Sequence, residues 1–377
     1  MIDSLVGNDY SICLCNGIKN AGVDIRLIIT EDREINTPIN FFVLRWLPSK
    51  QREKNKFIKT VKYFKFHLKL LCFILKDRID VVHYQFFRRE GFETFFFMFL
   101  SLLKINLVYT AHNVLPHEKN RTHHLLKNIV YRFSSSIVVH SKFIKNILAN
   151  NFNITKEKVC VIPHGNFDIY LPEKAISKSE ARKNFNVHRD DHVLLFFGYI
   201  RKYKGLDLLL DAFGIASNQI KNLKLIISGA VHTKQLEQEY KQKIETINQE
   251  DNIIFHSEFI PSDKVANYFI ASDIVMLPYK NIYHSGLMHL AYSFGRPVIA
   301  TRVGDFTETI EHGKSGFLLE TNDEKNLAKV IMSAVTDSNR LEQMGLYAQK
   351  LSKEKYSWNN IGYQTLELYK NLIQIMK

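Results

Sequence analysis

Apolar residues along the chain alternate between short β-branched runs and longer stretches in which they recur every three or four positions. The short runs predict strands, and the longer stretches predict amphipathic helices. A first series of strands and helices ends near Pro163, and a second begins at Val193. Because strands that alternate with helices form parallel, right-handed sheets, the pattern predicts an α/β protein with two doubly wound, Rossmann-like domains.

An irregular segment separates the two series. Residues 166–178 lack a periodic pattern and contain Pro172, which is typical of a domain linker. We expect an N-terminal domain of residues 1–168 and a C-terminal domain of residues 169–357. Two such domains are expected to face each other across a cleft that binds ligands.

The two ends of the chain carry separate predictions. Only the segment MIDSLVG is available before the helix expected from Asp9 to Asn20, so the first strand is very short unless the chain lacks residues at its start. The segment has no signal-peptide features, which favours a cytoplasmic protein. If the basic segment described below binds lipid, the protein is expected to be peripheral on the inner face of the cell membrane. The tail from Asp323 is expected to be helical throughout, with residues 358–377 packed back on the first domain.

The stretch from Tyr283 to Glu320 shows the alternation of strands and helices most clearly. It predicts two short helices whose N-termini, at Ser285-Gly286 and at Asp305, lie at the same edge of a parallel sheet. Free N–H groups and a partial positive charge at such ends suit a phosphorylated ligand. Turns of this kind also occur in Rossmann-like domains that bind no ligand at that edge. The pattern therefore leaves open whether the turns bind a phosphate or are purely structural.

A basic turn follows the predicted strand Val193–Phe197. Gly198 and Gly205 enclose Arg201, Lys202 and Lys204 at the start of a helix. Arginine can bind two phosphate oxygens at once and lysine acts as a point charge, so the turn predicts a diphosphate clamp; a solvated basic turn is the alternative.

Several polar residues are expected near the ligand cleft. His112 follows a predicted strand of the first domain, where a side chain would point into the cleft, although a lone histidine is more often a satisfied polar residue. Glu308, in the first turn of a helix, is either a ligand acceptor or a residue favoured by the helix dipole. Candidates on the acceptor side are Asn113, Glu118 and His164.

The net charge narrows the possible partners. The chain has a formal net charge of +13 and a pI near 9.3, which suits nucleic acid, an anionic membrane surface or anionic substrates. The charge is concentrated in Lys50–Lys76, which predicts a basic amphipathic helix on an anionic membrane surface or a core helix with a solvated lysine face. Its apolar positions are Phe57, Val61, Phe64, Leu68, Leu71 and Leu75. No nucleic-acid signature accompanies the charge, so we expect no nucleic-acid partner.

The sequence contains no cluster of His, Cys and Asp with metal-ligand spacing, no Asp-x-Asp pair at a strand end and no Walker A loop. We therefore expect no metal and no bound cofactor.

Six stretches, taken in this order, resemble the retaining, nucleotide-sugar-dependent glycosyltransferases of family 4, which have the GT-B architecture. They are Val108-Tyr-Thr-Ala-His-Asn113, Val138-Val-His-Ser141, Val161-Ile-Pro-His-Gly165, Phe197 to Asp207, Ala271 to Tyr279, and Gly295-Arg-Pro-Val-Ile-Ala-Thr301 through Gly316. The resemblance covers most of the chain.

The resemblance implies roles for individual residues. His112 is similar to the histidine that meets the transferred sugar near the reaction centre. Arg201 and Lys204 are similar to the pair that binds the donor diphosphate. Backbone N–H groups of the donor-binding residues Ser285, Gly286 and Leu287, with Gly198 nearby, would lie by the sugar and phosphates.

One feature departs from the family pattern. Two glutamates eight residues apart usually contact the donor sugar and the ribose, but their places fall on Ile282 and Leu290. The segment resembles a recognisable branch of the family, so the departure does not imply an inactive enzyme. His284, Ser285, Asp305 or Glu308 is expected to supply the missing acceptors.

The resemblance implies metal-independent, hexosyltransferase-type transfer of a sugar from a nucleotide diphosphate-sugar to a glycan or polyprenyl-diphosphate-linked acceptor, with retention of configuration. The expected setting is the synthesis of a bacterial surface polysaccharide such as capsule, O-antigen or exopolysaccharide. Two alternatives stay open: a nucleotide-sugar epimerase, which needs carboxylates beside the sugar ring, and a non-catalytic, membrane-associated glycan-binding or scaffold homologue.

Overall fold

The structure is a computed structural model that describes residues 1–4, 9–35, 37–49, 55–112, 114, 121–247 and 250–375. It divides into two compact units, each described by itself. Unit 1 comprises Met1–Gly165 and Ser357–Lys377, and unit 2 comprises Asn166–Tyr356.

Twelve strands are assigned within the described residues. They are β1 (Arg26–Thr30), β2 (Phe42–Leu47), β3 (Val81–Tyr84), β4 (Asn106–Thr110), β5 (Ser136–Val139), β6 (Val159–Val161), β7 (His192–Phe197), β8 (Leu223–Ser228), β9 (Ile253–His256), β10 (Ile274–Leu277), β11 (Val298–Ala300) and β12 (Gly316–Leu318).

Fourteen α-helices are assigned in the same described ranges. They are α1 (Tyr10–Asn20), α2 (Lys56–Lys76), α3 (Glu90–Leu102), α4 (Arg121–Phe133), α5 (Lys142–Phe152), α6 (Lys178–Lys183), α7 (Leu206–Ser217), α8 (Lys234–Glu245), α9 (Ser262–Ala271), α10 (Gly286–Ser293), α11 (Phe306–Thr309), α12 (Glu324–Val335), α13 (Ser338–Glu354) and α14 (Trp358–Ile375).

The strands of unit 1 are parallel and lie in the order β2-β1 and β3-β4-β5-β6. Ile2 joins the two groups through parallel bridges to Ile28 in β1 and Tyr84 in β3. A single bridging residue therefore occupies the place of the expected short first strand.

Helix α14 packs on α1 within unit 1, and two glycines set the distance between them. A Cβ atom on Gly17 would lie 2.0 Å from the carbonyl oxygen of Trp358, and one on Gly362 would lie 2.2 Å from the backbone of Gly17. Only residues without a side chain allow the two backbones to approach this closely.

The tail from Asp323 is helical, as expected, but it is divided into three helices. Helix α12 ends at Val335 and α13 at Glu354, and each following helix begins at a new cap. The Asp337 carboxylate accepts from the Arg340 N–H at 3.0 Å, and the Ser357 hydroxyl accepts from the Asn360 N–H at 3.3 Å. Both are residue types that begin helices.

Unit 2 contains a six-stranded parallel sheet in the order β12-β11-β10-β7-β8-β9. Its strands are buried on both faces, with Leu195 and Val275 in one core cluster and Leu194 and Ile274 in the other. Because all six strands run the same way, their carboxyl ends meet at one edge.

Helix α2 turns an unexpected face to the core of unit 1. Its buried side chains are Tyr63, Phe66, His67, Leu70 and Ile74. In contrast, the stripe predicted from the sequence is exposed: Phe57 is 76% exposed, Phe64 is 53% and Leu68 is 48%. The helix therefore has two apolar faces, one of which is exposed. No described helix is both long and apolar enough to cross a membrane.

Candidate active site

The basic turn after β7 depends on a glycine at its end. Gly205 has a φ of 71°, in the left-handed region, and directly precedes α7. A Cβ atom there would lie 1.9 Å from the carbonyl oxygen of Pro278, just beyond β10. Glycine therefore lets the turn rest against the carboxyl end of the neighbouring strand.

Within this turn, Lys204 is largely surrounded by protein. Its Nζ lies 5.7 Å from the centre of the Tyr279 ring and would lie 3.3 Å from a Cβ atom on Gly198. Burial, with a smaller contribution from the Arg201 guanidinium, lowers the pKa of Lys204 to about 8. Desolvation disfavours the charged ammonium, so an anion beside it would be stabilising.

Arg201 and Lys204 differ from the lysines around them. Within the described ranges neither of the two forms an ion pair with a carboxylate. The neighbouring lysines are paired: Lys202 lies 3.3 Å from Glu239, and Lys280 lies 2.5 Å from Asp207. The turn therefore holds two adjacent positive charges without a counter-ion in the described part of the chain, as a phosphate site requires.

Helix α10 begins at the same edge of the sheet. Ser285 precedes its first residue, Gly286, and makes no side-chain cap hydrogen bond, so the first N–H groups, including that of Leu287, are not satisfied by a cap. Ser285 is buried beside the Tyr279 hydroxyl. Tyr279 thus lies between Lys204 and the start of α10 and contacts both Lys204 and Ser285.

A histidine–carboxylate pair lies next to this helix start. His284 Nδ1 is 2.6 Å from Asp305 Oδ2, and Asp305 is only 2% exposed. The Asp305 Oδ1 atom has no hydrogen-bond partner among the described residues. A buried carboxylate of this kind fixes the imidazole orientation and the nitrogen that carries the proton.

The pair lies close to Ile282, one of the two positions where the family usually has a glutamate. A Cβ atom on Gly304 would lie 2.1 Å from the carbonyl oxygen of Ile282, so the loop that carries Asp305 rests on the chain at that position. Leu290 is 8% exposed and belongs to the core. Glu308 is exposed on the single-turn helix α11, which ends at Thr309.

In unit 1, His112 follows β4 and is held on several sides. Its Nε2 lies 3.0 Å from Gln85 Oε1, and its Nδ1 lies 3.3 Å from His140 Nε2. Phe86 stacks on the ring at 4.3 Å, and Tyr10 meets it edge-on at 4.8 Å. The imidazole is therefore fixed in position and orientation.

The acceptor-side candidates are less completely placed. His164 is buried, with its Nδ1 2.7 Å from the Gly165 carbonyl oxygen and its ring 4.9 Å from that of Tyr10. Asn113 and Glu118 lie outside the described residues.

Sequence reasoning missed Gln85, His140 and Tyr279. Each lies at or just after the carboxyl end of a strand, the same signal that selected His112. His140 directly follows β5, which ends at Val139.

Two models of known protein families match most of the chain. The model of the family described as "Glycosyl transferases group 1" matches residues 177–351, and that of "Glycosyltransferase Family 4" matches residues 10–165. The chain belongs to the family 4 glycosyltransferases of the GT-B fold. The family resemblance and the fold predicted from the sequence are therefore confirmed.

Curated relatives of this glycosyltransferase are distant. An uncharacterized glycosyltransferase of Methanocaldococcus jannaschii is 26% identical over 64% of this chain and 62% of its own length. The lipopolysaccharide 1,2-N-acetylglucosaminetransferase of Salmonella typhimurium is 27% identical over 63% of this chain and 62% of its own. These alignments thus span less than two thirds of either relative.

Solved structures align along almost the whole glycosyltransferase chain. HepE of Anabaena in complex with UDP has a TM-score of 0.74 and 18% identity, covering 98% of this chain and 99% of its own. A glycosyltransferase from Rickettsia africae has a TM-score of 0.74 and 17% identity, covering 99% and 98%. At this identity the likeness concerns the fold.

Proposed function

We propose that this protein transfers a sugar from a nucleotide diphosphate-sugar to a glycan or polyprenyl-diphosphate-linked acceptor, with retention of the anomeric configuration, in the synthesis of a bacterial surface polysaccharide. The observation that carries the proposal is the pair of uncompensated cations, Arg201 and Lys204, beside the uncapped start of α10. The UDP bound by HepE and the sugar transfer named for the Salmonella relative support it.

In the proposed reaction, the acceptor hydroxyl oxygen bonds to the anomeric carbon on the face from which the diphosphate leaves. The bond between the anomeric carbon and the diphosphate oxygen breaks, and the acceptor proton passes to that oxygen. Arg201, Lys204 and the N–H groups of α10 stabilise the charge that develops on the diphosphate. Because these groups supply the positive charge, the proposed reaction needs no metal ion.

His284 and Asp305 are proposed to take part in recognising the donor sugar. Asp305 accepts from His284 Nδ1 and holds the ring beside Ser285, at the start of α10. A fixed imidazole nitrogen can hydrogen-bond a sugar hydroxyl, as the absent glutamate at position 282 would. The pair therefore offers a replacement for that glutamate from the next loop.

The transferase proposal is tested with purified protein and a panel of UDP- and GDP-sugars. Nucleotide diphosphate should be released only when a glycan or lipid-linked acceptor is present, and EDTA should leave the rate unchanged. Arg201→Ala and Lys204→Ala should each lower the rate about a hundredfold, the usual cost of losing a group that stabilises developing charge. Lys202→Ala is the matched control, because Lys202 pairs with Glu239.

Two results would contradict this assignment. An unchanged rate in Arg201→Ala and Lys204→Ala would show that the clamp is elsewhere. If neither UDP nor GDP raised the melting temperature, the non-catalytic scaffold would be favoured instead, because a ligand that binds the folded state stabilises it.

Unit 1 is further proposed to dock on an anionic membrane surface through α2 and α3. The two helices pack side by side, with the His67 ring 4.8 Å from Phe92 and 4.6 Å from Phe96. Their outer faces are apolar, with Phe95 58% exposed and Leu102 68% exposed, in addition to the exposed stripe of α2. At 3.6 residues per turn, Lys62, Lys65 and Lys69 lie along one flank of that stripe. Apolar anchors with adjacent lysines suit a lipid interface.

Cosedimentation with vesicles tests the docking surface. Reversing the charge at Lys62, Lys65 and Lys69 together should release the protein from vesicles that contain anionic lipid. The same change at three exposed lysines of unit 2, Lys221, Lys264 and Lys314, should leave it bound. Equal binding by both triple variants would contradict the assignment of the surface.

A further inference from the structure

One cavity of unit 2 lies at the edge of the sheet opposite to the basic turn. It has a volume of about 900 Å³, and its lining includes Asp191, Asp273 and Pro297, the residues that directly precede β7, β10 and β11. The donor-binding candidates follow the carboxyl ends of these strands, so the two sites lie at opposite edges of the sheet. Helix α10 begins at the donor edge, and Gly295 and Arg296, just beyond its end, line the cavity. The cavity is therefore separate from the donor site.

Asp273 is shared by three cations in the wall of this cavity. Its carboxylate accepts hydrogen bonds from Lys178, from Arg182 Nη2 at 2.9 Å and from the Val193 N–H at 2.7 Å. The third cation is Arg296. Burial lowers the pKa of Arg296, and the Asp273 carboxylate opposes this effect. Three positive charges around one negative charge leave two positive charges that are not compensated within the group.

The two arginines differ in the use of their hydrogen-bond donors. Arg182 is almost fully buried and donates to the Asp273 carboxylate and to the carbonyl oxygens of Ala271, His188 and Arg189, at 3.1, 2.9 and 2.6 Å. In Arg296, by contrast, the buried Nε has no hydrogen-bond partner among the described residues. Its Nη2 has one long contact, at 3.4 Å, with the Ile270 carbonyl oxygen. A buried donor without an acceptor is destabilising, so the fold uses Arg182 fully and leaves Arg296 able to bind a ligand.

We propose that this cavity is a ligand site distinct from the donor site, in which Arg296 and Lys178 bind the phosphoryl group of a small molecule. A phosphate dianion matches the two positive charges that Asp273 leaves uncompensated. A guanidinium group can bind two phosphate oxygens at once, and the lysine ammonium supplies a point charge. Small-molecule sites have volumes of about 300–1,000 Å³, so the cavity has room for the rest of such a molecule. The site is independent of the proposed function, because it shares no residue with the donor site.

Four further charged residues line the cavity: Arg189, Asp190, Asp191 and Glu342. The Asp191 carboxylate accepts from the His188 N–H at 2.7 Å, and the other three residues are exposed. Exposed charges are largely screened by water and salt, so the charges that act on Arg296 are those of Asp273 and Arg182. The exposed carboxylates can accept hydrogen bonds from hydroxyl groups of a ligand, which favours a phosphate ester of a polyol or sugar over free phosphate.

Calorimetric titration of the full chain tests the site. The parent protein carries Arg201→Ala and Lys204→Ala, which prevents phosphate from binding at the basic turn. Inorganic phosphate and glycerol 3-phosphate should each bind this protein and raise its melting temperature. Adding Arg296→Met should weaken the binding of both by about tenfold or more, because a hydrogen bond to a charged group is lost. Adding Lys178→Met should also weaken it, whereas Lys183→Met, at an exposed position of the same helix, is the matched control and should not.

Arg296→Met should fold, because an apolar side chain in place of an incompletely paired buried charge is often neutral or stabilising. If it does not fold, Lys178→Met carries the test, since the Lys178 side chain is 43% exposed. Equal affinities in Lys178→Met and Lys183→Met would then overturn the proposal. Equal affinities in the parent and a folded Arg296→Met variant would also overturn it, as would a parent that binds neither phosphate nor the ester.

The two probes distinguish the possible sources of the phosphoryl group. Tighter binding of glycerol 3-phosphate than of inorganic phosphate would support a phosphate ester as the ligand, and equal binding would support free phosphate. None of these measurements uses sugar transfer. Inactivity with every donor would therefore refute the proposed function and leave this site standing.

Discussion

At the scale of single residues, Lys204 links burial to ligand binding. Its ammonium lies against Gly198 and the Tyr279 ring, where solvation is poor. Because the pKa of Lys204 is lower in the folded protein than its ordinary value of 10.5, the unfolded chain binds more protons between about pH 8 and 10.5. Without a ligand, the contribution of Lys204 to stability therefore rises with pH in that window. A bound diphosphate would stabilise the charged ammonium of Lys204 and so raise its pKa.

We therefore predict that UDP binding weakens above pH 8. Once Lys204 is neutral in the free protein, binding must first restore its proton, so the dissociation constant should rise by up to about tenfold per pH unit. Calorimetric titrations between pH 7 and 9.5 measure this slope. Lys204→Arg keeps its charge throughout and should bind with a nearly constant affinity; an equal slope in this variant would show that another group titrates.

A second prediction concerns the histidine–carboxylate pair. Asp305→Asn keeps the size of the side chain but removes the charge that holds His284, so the KM for the nucleotide sugar should rise while the affinity for free UDP changes little. Initial rates and UDP calorimetry measure the two effects separately. Glu308→Gln, on the exposed side of α11, is the control. Weaker UDP binding in Asp305→Asn would place the pair at the diphosphate instead of the sugar.

Residue types and strand ends predicted Arg201, Lys204 and His112, because charge and a position after a strand are visible in a sequence. The contact between His284 and Asp305 was not predictable as a pair. The two residues are on successive loops, and their distance depends on Gly304 resting against Ile282. A contact of this kind follows from three-dimensional packing and not from local pattern.

At the scale of secondary structure, the alternation of strands and helices was predicted well, because the strands of unit 2 are mostly short runs of apolar residues. The buried face of α2 was not predicted correctly. Two sets of apolar residues follow helical spacing there, and periodicity cannot decide which set, that of Phe64 or that of Phe66, meets the core. Packing against β-strands and α3 selected the set with Phe66.

The contact of α1 with α14 gives a prediction about stability. Gly17→Ala places a Cβ atom 2.0 Å from the Trp358 carbonyl oxygen, so it should destabilise the protein by about 1–3 kcal/mol, as overpacking does. Gly91→Ala in α3 meets no atom within 4 Å and should stabilise by about 0.5–1 kcal/mol. Urea denaturation measures both. A loss of stability in Gly91→Ala as large as that in Gly17→Ala would contradict the packing argument.

At the scale of the whole molecule, each apolar core is built from one unit. The two clusters of unit 2 contain only residues from its own segment. Of the two clusters of unit 1, one lies within the first 165 residues, and the other combines them with residues of the last helix. The return of the chain to unit 1 was expected from the length of the helical tail. Asp337 and Ser357, which precede α13 and α14, are residue types that begin helices, so the division of the tail could have been predicted from the sequence.

This organisation predicts that residues 166–356 fold alone. The isolated segment should melt cooperatively and be stabilised by UDP, because it contains its own cores together with Arg201 and Lys204. Thermal denaturation with and without UDP measures both properties. The segment with Arg201→Ala and Lys204→Ala should melt cooperatively without a response to UDP. A non-cooperative melt of the unsubstituted segment would show that unit 2 depends on unit 1.

The place of α14 also has a consequence for protein synthesis. Residues 1–165 emerge from the ribosome before unit 2, but the helix that covers α1 is translated only after residues 166–356. At a rate of about 5–20 residues per second, the first unit waits on the order of 10–40 seconds with that surface uncovered. Unit 1 is thus completed only after unit 2 has been translated, and chaperones have that interval in which to bind it.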